Sequence, residues 1–229
     1  MNKEQLQNLL TALGVNSETL LLKLINEKGL TEEKIRGIMK AKAPKYITNL
    51  SDVRPGMFLT KEGYVTRNYI ADDVIALVFG VFKKKIEVIS VEGKEMPFGS
   101  PELFVDTDGL SGLEATRLIA AEARRLNLRA DAAVYCQNFT VPGLVEQGEA
   151  FLLSPEEIID IHSYFYNIQE ALHNINFTTG FLWSSSMLKK QSSDPMIKVY
   201  EIRSPVMSEE MPDFPQYVYP AFFVSFRKP

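Results

Sequence analysis

The chain has 229 residues, 45% of them apolar and 24% charged, with a formal net charge of −4. That is enough apolar mass for one large domain, or for a large one and a small one, and the acidic balance argues against a general nucleic-acid binder, which shows a basic surplus. No apolar run approaches the roughly 20 residues needed to cross a bilayer, and Met1-Asn2-Lys3-Glu4-Gln5-Leu6 lacks the apolar core and cleavage site of a signal peptide. The single cysteine, Cys136, cannot close an internal disulfide and reads as a buried small hydrophobe.

Residues 1–45 form a segment of their own. Leu6, Leu9, Leu10 and Leu13 recur at helical spacing up to Gly14, a helix terminator. Asn16 or Ser17 caps a second helix carrying Leu20, Leu21, Leu24 and Ile25, and Thr31 caps a third with Ile35, Ile38 and Met39. Such a bundle is too small to be stable alone. It is expected to attach or orient the main domain, or to make a homo-oligomer. A helix-turn-helix DNA reader is the weaker alternative, since Lys34, Arg36 and Lys40 sit in an acidic protein.

A main domain over residues 46–229 is expected. Residues 73–82 (DVIALVFGVF) and 86–91 (IEVISV) are β-rich runs joined by Lys83-Lys84-Lys85, which predicts a hairpin with a solvated tip. Residues 114–126 predict a helix, with Leu118, Ile119 and Leu126 for the core and Arg124 and Arg125 outside. Ser154-Pro155-Glu156-Glu157 places a capping serine, a first-turn proline and an N3 glutamate at the head of another helix. Its stripe is Ile158, Ile161, Phe165, Ile168 and Leu172. Phe181-Leu182-Trp183 is a short apolar run, residues 197–202 and 217–226 are strands, and Pro205, Pro212 and Pro215 make residues 203–216 a loop.

From about residue 52 onward the order of motifs resembles the C-terminal domain of bacterial collagen-like adhesins, related to the fibrobacter major paralogous domains. The matching pieces begin with the hairpin at residues 75–91, Met96-Pro97-Phe98, and the segment from Asp108-Gly109 to Thr116. The cysteine element at residues 132–139, residues 151–158, Trp183-Ser184-Ser185 and the last strand from Tyr219-Pro220 follow in the same order. The sequence departs from the family at Phe98 and Phe151, where tryptophan is usual, at the proline that follows Ser154, and at Tyr219, where the family has arginine. The resemblance implies an α+β, C-type-lectin-like domain: two helices and a mixed, mostly antiparallel twisted sheet, with Trp183, Phe151 and Phe165 in the core. It also implies a ligand-binding or adhesive module, at a cell surface or on a virion, that shows its loops to a protein or glycan.

Enzyme chemistry finds little to work with. The calcium-lectin strings Glu-Pro-Asn, Gln-Pro-Asp and Trp-Asn-Asp do not occur, and one cysteine cannot supply the cysteine pair of formylglycine-generating enzymes. His162 and His173, eleven residues apart on one predicted helix, are about 16 Å apart and cannot share an ion. Asp106-Thr107-Asp108-Gly109 begins like a calcium loop but has Leu110 where a ligand is required, so a turn and helix cap is the better reading. No cofactor and no metal site are expected. The candidate contact residues are Lys189, Lys190, Gln191, Arg203, Glu209, Glu210, Asp213, Phe214, Tyr217 and Tyr219, in or beside the proline-bearing loop. A structural component of a phage particle or surface appendage is the second reading, and an enzyme with an unrecognised site the third.

Overall fold

Ten strands and three helices follow in chain order in the computed structural model, which describes residues 46–70, 72–163, 181–188, 195–201 and 206–229. The chain divides after Lys45. The three N-terminal helices expected from the sequence, the second half of the helix headed by Ser154 with Phe165, Ile168, Leu172 and His173, and Lys189, Lys190, Gln191 and Arg203 lie outside the described residues.

The first sheet joins β1 (Phe58–Thr60), β2 (Val65–Thr66), β3 (Val74–Phe82), β4 (Lys85–Ser90) and β10 (Ala221–Ser225). Its order is β10-β4-β3-β1-β2, with every pair antiparallel. The predicted hairpin is β3–β4, and its tip turns through Lys83 and Lys84, both at positive φ (47° and 69°). Positive φ at both central positions gives the twist that suits a two-residue hairpin, a conformation non-glycine residues adopt at some cost. β3 reads as a near-continuous apolar run because both of its faces are covered. Ala76 and Val78 pack with Leu59, Ile86, Val88 and Phe222 on one side. Leu77 and Phe79 pack with Phe58, Ile89, Phe151 and Ile158 on the other.

The second sheet is made of β5 (Lys94–Met96), β6 (Phe181–Leu188), β7 (Met196–Glu201), β8 (Met207–Glu210) and β9 (Gln216–Val218), in the order β5-β9-β6-β7-β8. All its pairs are antiparallel except β6–β9, which meet in parallel at Leu182 and Tyr217. Successive side chains of a strand point to opposite faces. Leu182 and Tyr200 accordingly join the cluster shared with the first sheet. Trp183 and Val199 face the cluster that contains the helices α1 (Gly112–Leu126) and α2 (Asp131–Asn138).

The single sheet expected from the sequence is therefore two. The chain changes sheets twice at one place, between β4 and β5 and between β9 and β10. Ser90 N donates to Pro220 O at 2.8 Å there. Gly93 has no Cβ where the Tyr219 ring lies against it. The last strand expected over 217–226 is broken at Tyr219-Pro220 because proline has no N–H for a ladder. The loop expected over 203–216 contains β8, which lies between two of its prolines and pairs with β7.

Three helices stand where two were expected. The additional one is α2, whose Ala132, Ala133 and Cys136 are buried against Ala120 and Ala123 of α1. It has neither a side-chain cap nor a strong apolar stripe to announce it. In α1 the buried face is Ala115, Thr116, Ile119, Ala120 and Ala123. Leu118 and Leu126, expected in the core, are 42% and 41% exposed, because close contact with α2 is made by small side chains instead. Arg124 and Arg125 are outside, as expected. Ser111 caps α1 in a capping box with Glu114, and Asp106 accepts from Asp108 N in the preceding turn.

The helix α3 (Pro155–Ser163) starts as the sequence requires. Ser154 Oγ accepts from Glu157 N at 3.2 Å, and Glu157 Oε2 accepts from Ser154 N at 2.8 Å. The second oxygen of Glu157 also accepts from Gly112 N at 3.3 Å, so one carboxylate closes the starts of both α3 and α1. Burial outweighs these donors, and with the charges of Glu156 and Asp160 it raises the Glu157 carboxyl above its ordinary value. Glu87 on β4 is raised as well, first by burial and then by Glu157 and Asp160.

A carboxyl raised in the folded state contributes stability that is fully present below its unfolded value, 4.5. That contribution is lost as pH climbs through the folded value. His162, whose burial lowers its pKa from 6.5, acts in the opposite direction. The test is therefore a difference: between pH 5 and pH 7 the unfolding midpoint of Glu87→Gln should fall less, or rise more, than that of the wild type. Equal slopes would remove this assignment.

Candidate functional site

The surface named from the sequence is built outward from Trp183. This indole is 1% exposed, and its Nε1 donates to Met96 O at 2.9 Å. Phe98 meets it edge to face, with ring centroids 5.4 Å apart at 72°. Phe98 N and Gly99 N then both donate to Pro212 O, at 2.7 and 3.2 Å. Gly99 is required because a Cβ there would strike the Arg129 carbonyl.

Pro212 is buried, while the residues around it are not. Phe214 N donates to Met211 O at 3.1 Å and closes a turn over residues 211–214. From this anchored turn Phe214 stands 54% exposed, beside Met211 at 36% and Asp213, also exposed. β8 leads into the turn, with Val206 and Met207 each 49% exposed and Glu209 and Glu210 half-buried. Large apolar side chains fixed on a rigid base, with carboxylates among them, are contact groups that lose little conformational freedom on binding.

Of the residues named from the sequence, Glu209, Glu210, Asp213 and Phe214 thus lie on β8 and its following turn. Tyr217 on β9 is half-buried, its ring stacked on that of Tyr219 at 6.1 Å and 27°. Tyr219 itself is a correction: it is 6% exposed and belongs to the core shared by the two sheets, because the chain crosses between sheets there. Val206, Met207 and Met211 were missed. Their signal was present as apolar residues in a stretch too rich in proline to bury them in regular strands.

Among the described residues, Cys136 is buried and Ser184 and His162 are bonded to backbone carbonyls. Cys136 is fully buried, which pushes its thiol well above the ordinary value. Ser184 Oγ donates to Lys198 O at 2.7 Å, and Ser185 N donates to Leu153 O at 2.9 Å. His162 Nε2 lies 2.9 Å from Glu201 O. Phe151 is buried, stacked on Phe223 at 5.3 Å. Among the described residues no group of three or more His, Cys, Asp or Glu side chains is arranged to hold a metal ion, and no helix is long and apolar enough to cross a membrane. No family model matches the chain, and no curated protein or solved structure matches it either.

Proposed function

We propose that the chain is a non-enzymatic recognition module of C-type-lectin-like architecture, which takes a protein or glycan ligand on β8 and the turn at 211–214. The observation that carries this reading is Phe214, held out from a turn whose Pro212 carbonyl is bound twice to the segment beside Trp183. Support for the architecture comes from the terminal strand β10 pairing with the early hairpin, from the buried Trp183, and from helices packed beside the sheets. The buried thiol and the serine and histidine bonded to backbone carbonyls favour recognition over catalysis.

Glycan and protein arrays probed with the wild type, Phe214→Ser and Tyr217→Ala test it. Truncating an exposed anchor removes about 2 kcal/mol or more of binding, roughly a 30-fold loss of affinity. Phe214→Ser is expected to lose ligands by that factor while its stability stays within about 0.5 kcal/mol of the wild type, as at other surface positions. Unchanged binding by Phe214→Ser would remove this surface. Stable assemblies of three or more copies in solution would point to the structural role instead.

A further inference from the structure

A second candidate site lies on the first sheet, independent of β8. A cleft of about 400 Å³ opens where the turn after β1, the middle of the sheet and the segment after α2 come together. That volume is at the small end of the range for small-molecule sites, about 300–1,000 Å³. Its walls are Ile75 of β3 with Phe139, Val141 and Pro142, and Lys61 and Glu92 also line it.

The walls are preformed. Val141 and Val145 exchange backbone hydrogen bonds at 3.0 and 2.9 Å, closing the loop that carries Pro142. The Phe139 ring lies 5.7 Å from that of Phe222 in the core. Ser90 at the end of β4 is occupied with the backbone of Glu92, donating to its carbonyl at 2.9 Å and accepting from its N–H at 3.1 Å. The segment that bears Glu92 is fixed by that pair of bonds.

The two charges are the informative feature. Lys61 and Glu92 have opposite sign and line one apolar cleft, yet among the described residues they pair neither with each other nor with a third group. A neutral apolar ligand would leave both charges unused. A simple anion or cation would leave one of them beside a group of its own sign. A molecule that carries both charges and an apolar body matches all three surfaces.

We propose that this cleft binds a free α-amino acid with an aromatic or branched apolar side chain. Its carboxylate meets Lys61, its ammonium group meets Glu92, and its side chain lies against Ile75, Phe139 and Val141. Contacts to exposed charges of this kind are worth up to about 1 kcal/mol, about two- to fivefold in affinity each.

The test is a nuclear magnetic resonance titration of the full chain with L-phenylalanine, L-phenylalanine amide and N-acetyl-L-phenylalanine. The amide and the acetyl compound each lack one of the two charges. Expected is a saturable shift of resonances at residues 61, 75, 92 and 139–141 with phenylalanine, and about two- to fivefold weaker binding of each analogue. Lys61→Gln and Glu92→Gln should weaken phenylalanine to the same degree, and both residues are exposed, so the fold is kept. Phe214→Ser should leave this response unchanged, which separates it from the contact surface on β8. Absence of a response at about 10 mM phenylalanine, or equal affinity for a singly charged analogue, overturns the proposal.

Discussion

Trp183→Ala is expected to destabilise the domain by about 4 kcal/mol, the usual cost of removing a large aromatic from a close-packed core. For a domain of this size that corresponds to a fall in unfolding midpoint of roughly 8–16 °C. Trp183 is 1% exposed and packs in the cluster that joins α1 and α2 to the second sheet. Trp183→Phe separates the two components of the loss. It keeps most of the apolar body but leaves Met96 O without its donor, and an unsatisfied buried carbonyl costs about 1–3 kcal/mol. Because the chain has one tryptophan, its native emission should be blue-shifted and should move to the red on unfolding. The core and the contact surface are also coupled, through Phe98 and Gly99 to Pro212. Amide exchange of residues 211, 213 and 214 should accelerate in Trp183→Ala beyond what is seen in a core variant of equal stability elsewhere. A native emission maximum equal to the denatured one, or an alanine variant within about 1 kcal/mol of wild type, would remove Trp183 from this role.

Gly112→Ala is expected to cost about 3 kcal/mol although helix propensity alone predicts the opposite sign. Alanine is favoured over glycine in a helix by about 1 kcal/mol, so by propensity a first-turn glycine is a weak choice. In the structure a Cβ at Gly112 would run into the Leu152 carbonyl oxygen, would lie 2.5 Å from Glu157 Oε2 and 3.0 Å from Phe151 Cδ2. The nearest obstacle is backbone, which cannot turn aside, and overpacking of this kind costs about 1–3 kcal/mol or more. The same position is where Thr116 Oγ1 donates to Gly112 O at 2.6 Å and accepts from Leu152 N at 2.9 Å. Shifting α1 to make room therefore breaks that bridge and the Glu157 contact together. Denaturant unfolding of Gly112→Ala beside Gly109→Ala decides it. Gly109 has φ of 70° but nothing within 4 Å, so its cost is limited to about 1–2 kcal/mol of backbone strain. If Gly112→Ala proves the more stable of the two, the close approach of α1 to residue 152 is wrong.

Local chemistry alone was enough for several elements. The hairpin β3–β4 needed only two β-rich runs and a charged tip. Ser154 and Glu157 cap α3 through the hydrogen bonds their spacing predicts. Trp183 and Phe151, which the family resemblance puts in the core, are both buried. Where small residues carry the packing, the sequence was silent. α2 is held by Ala132, Ala133 and Cys136, which give no strong period. Leu118 and Leu126 were misassigned because an apolar residue on a helix does not reveal how closely its neighbour lies.

The contact surface divides in the same way. Phe214 and Asp213 were legible as residues without a core partner in a proline-rich stretch, while the strand β8 was not, since it is a short antiparallel return from β7 flanked by prolines, which read as loop. Tyr219 looked like its neighbour Tyr217 but is buried where the chain passes from one sheet to the other.

By itself, then, the sequence determined what depends on neighbours along the chain: the hairpin, the capped start of α3, and the exclusion of an internal disulfide. Tertiary structure alone decided the division into two sheets, the glycine approaches at residues 93, 99 and 112, and which tyrosine faces water. Those outcomes depend on segments far apart in sequence meeting at van der Waals distance, and no local pattern encodes that meeting.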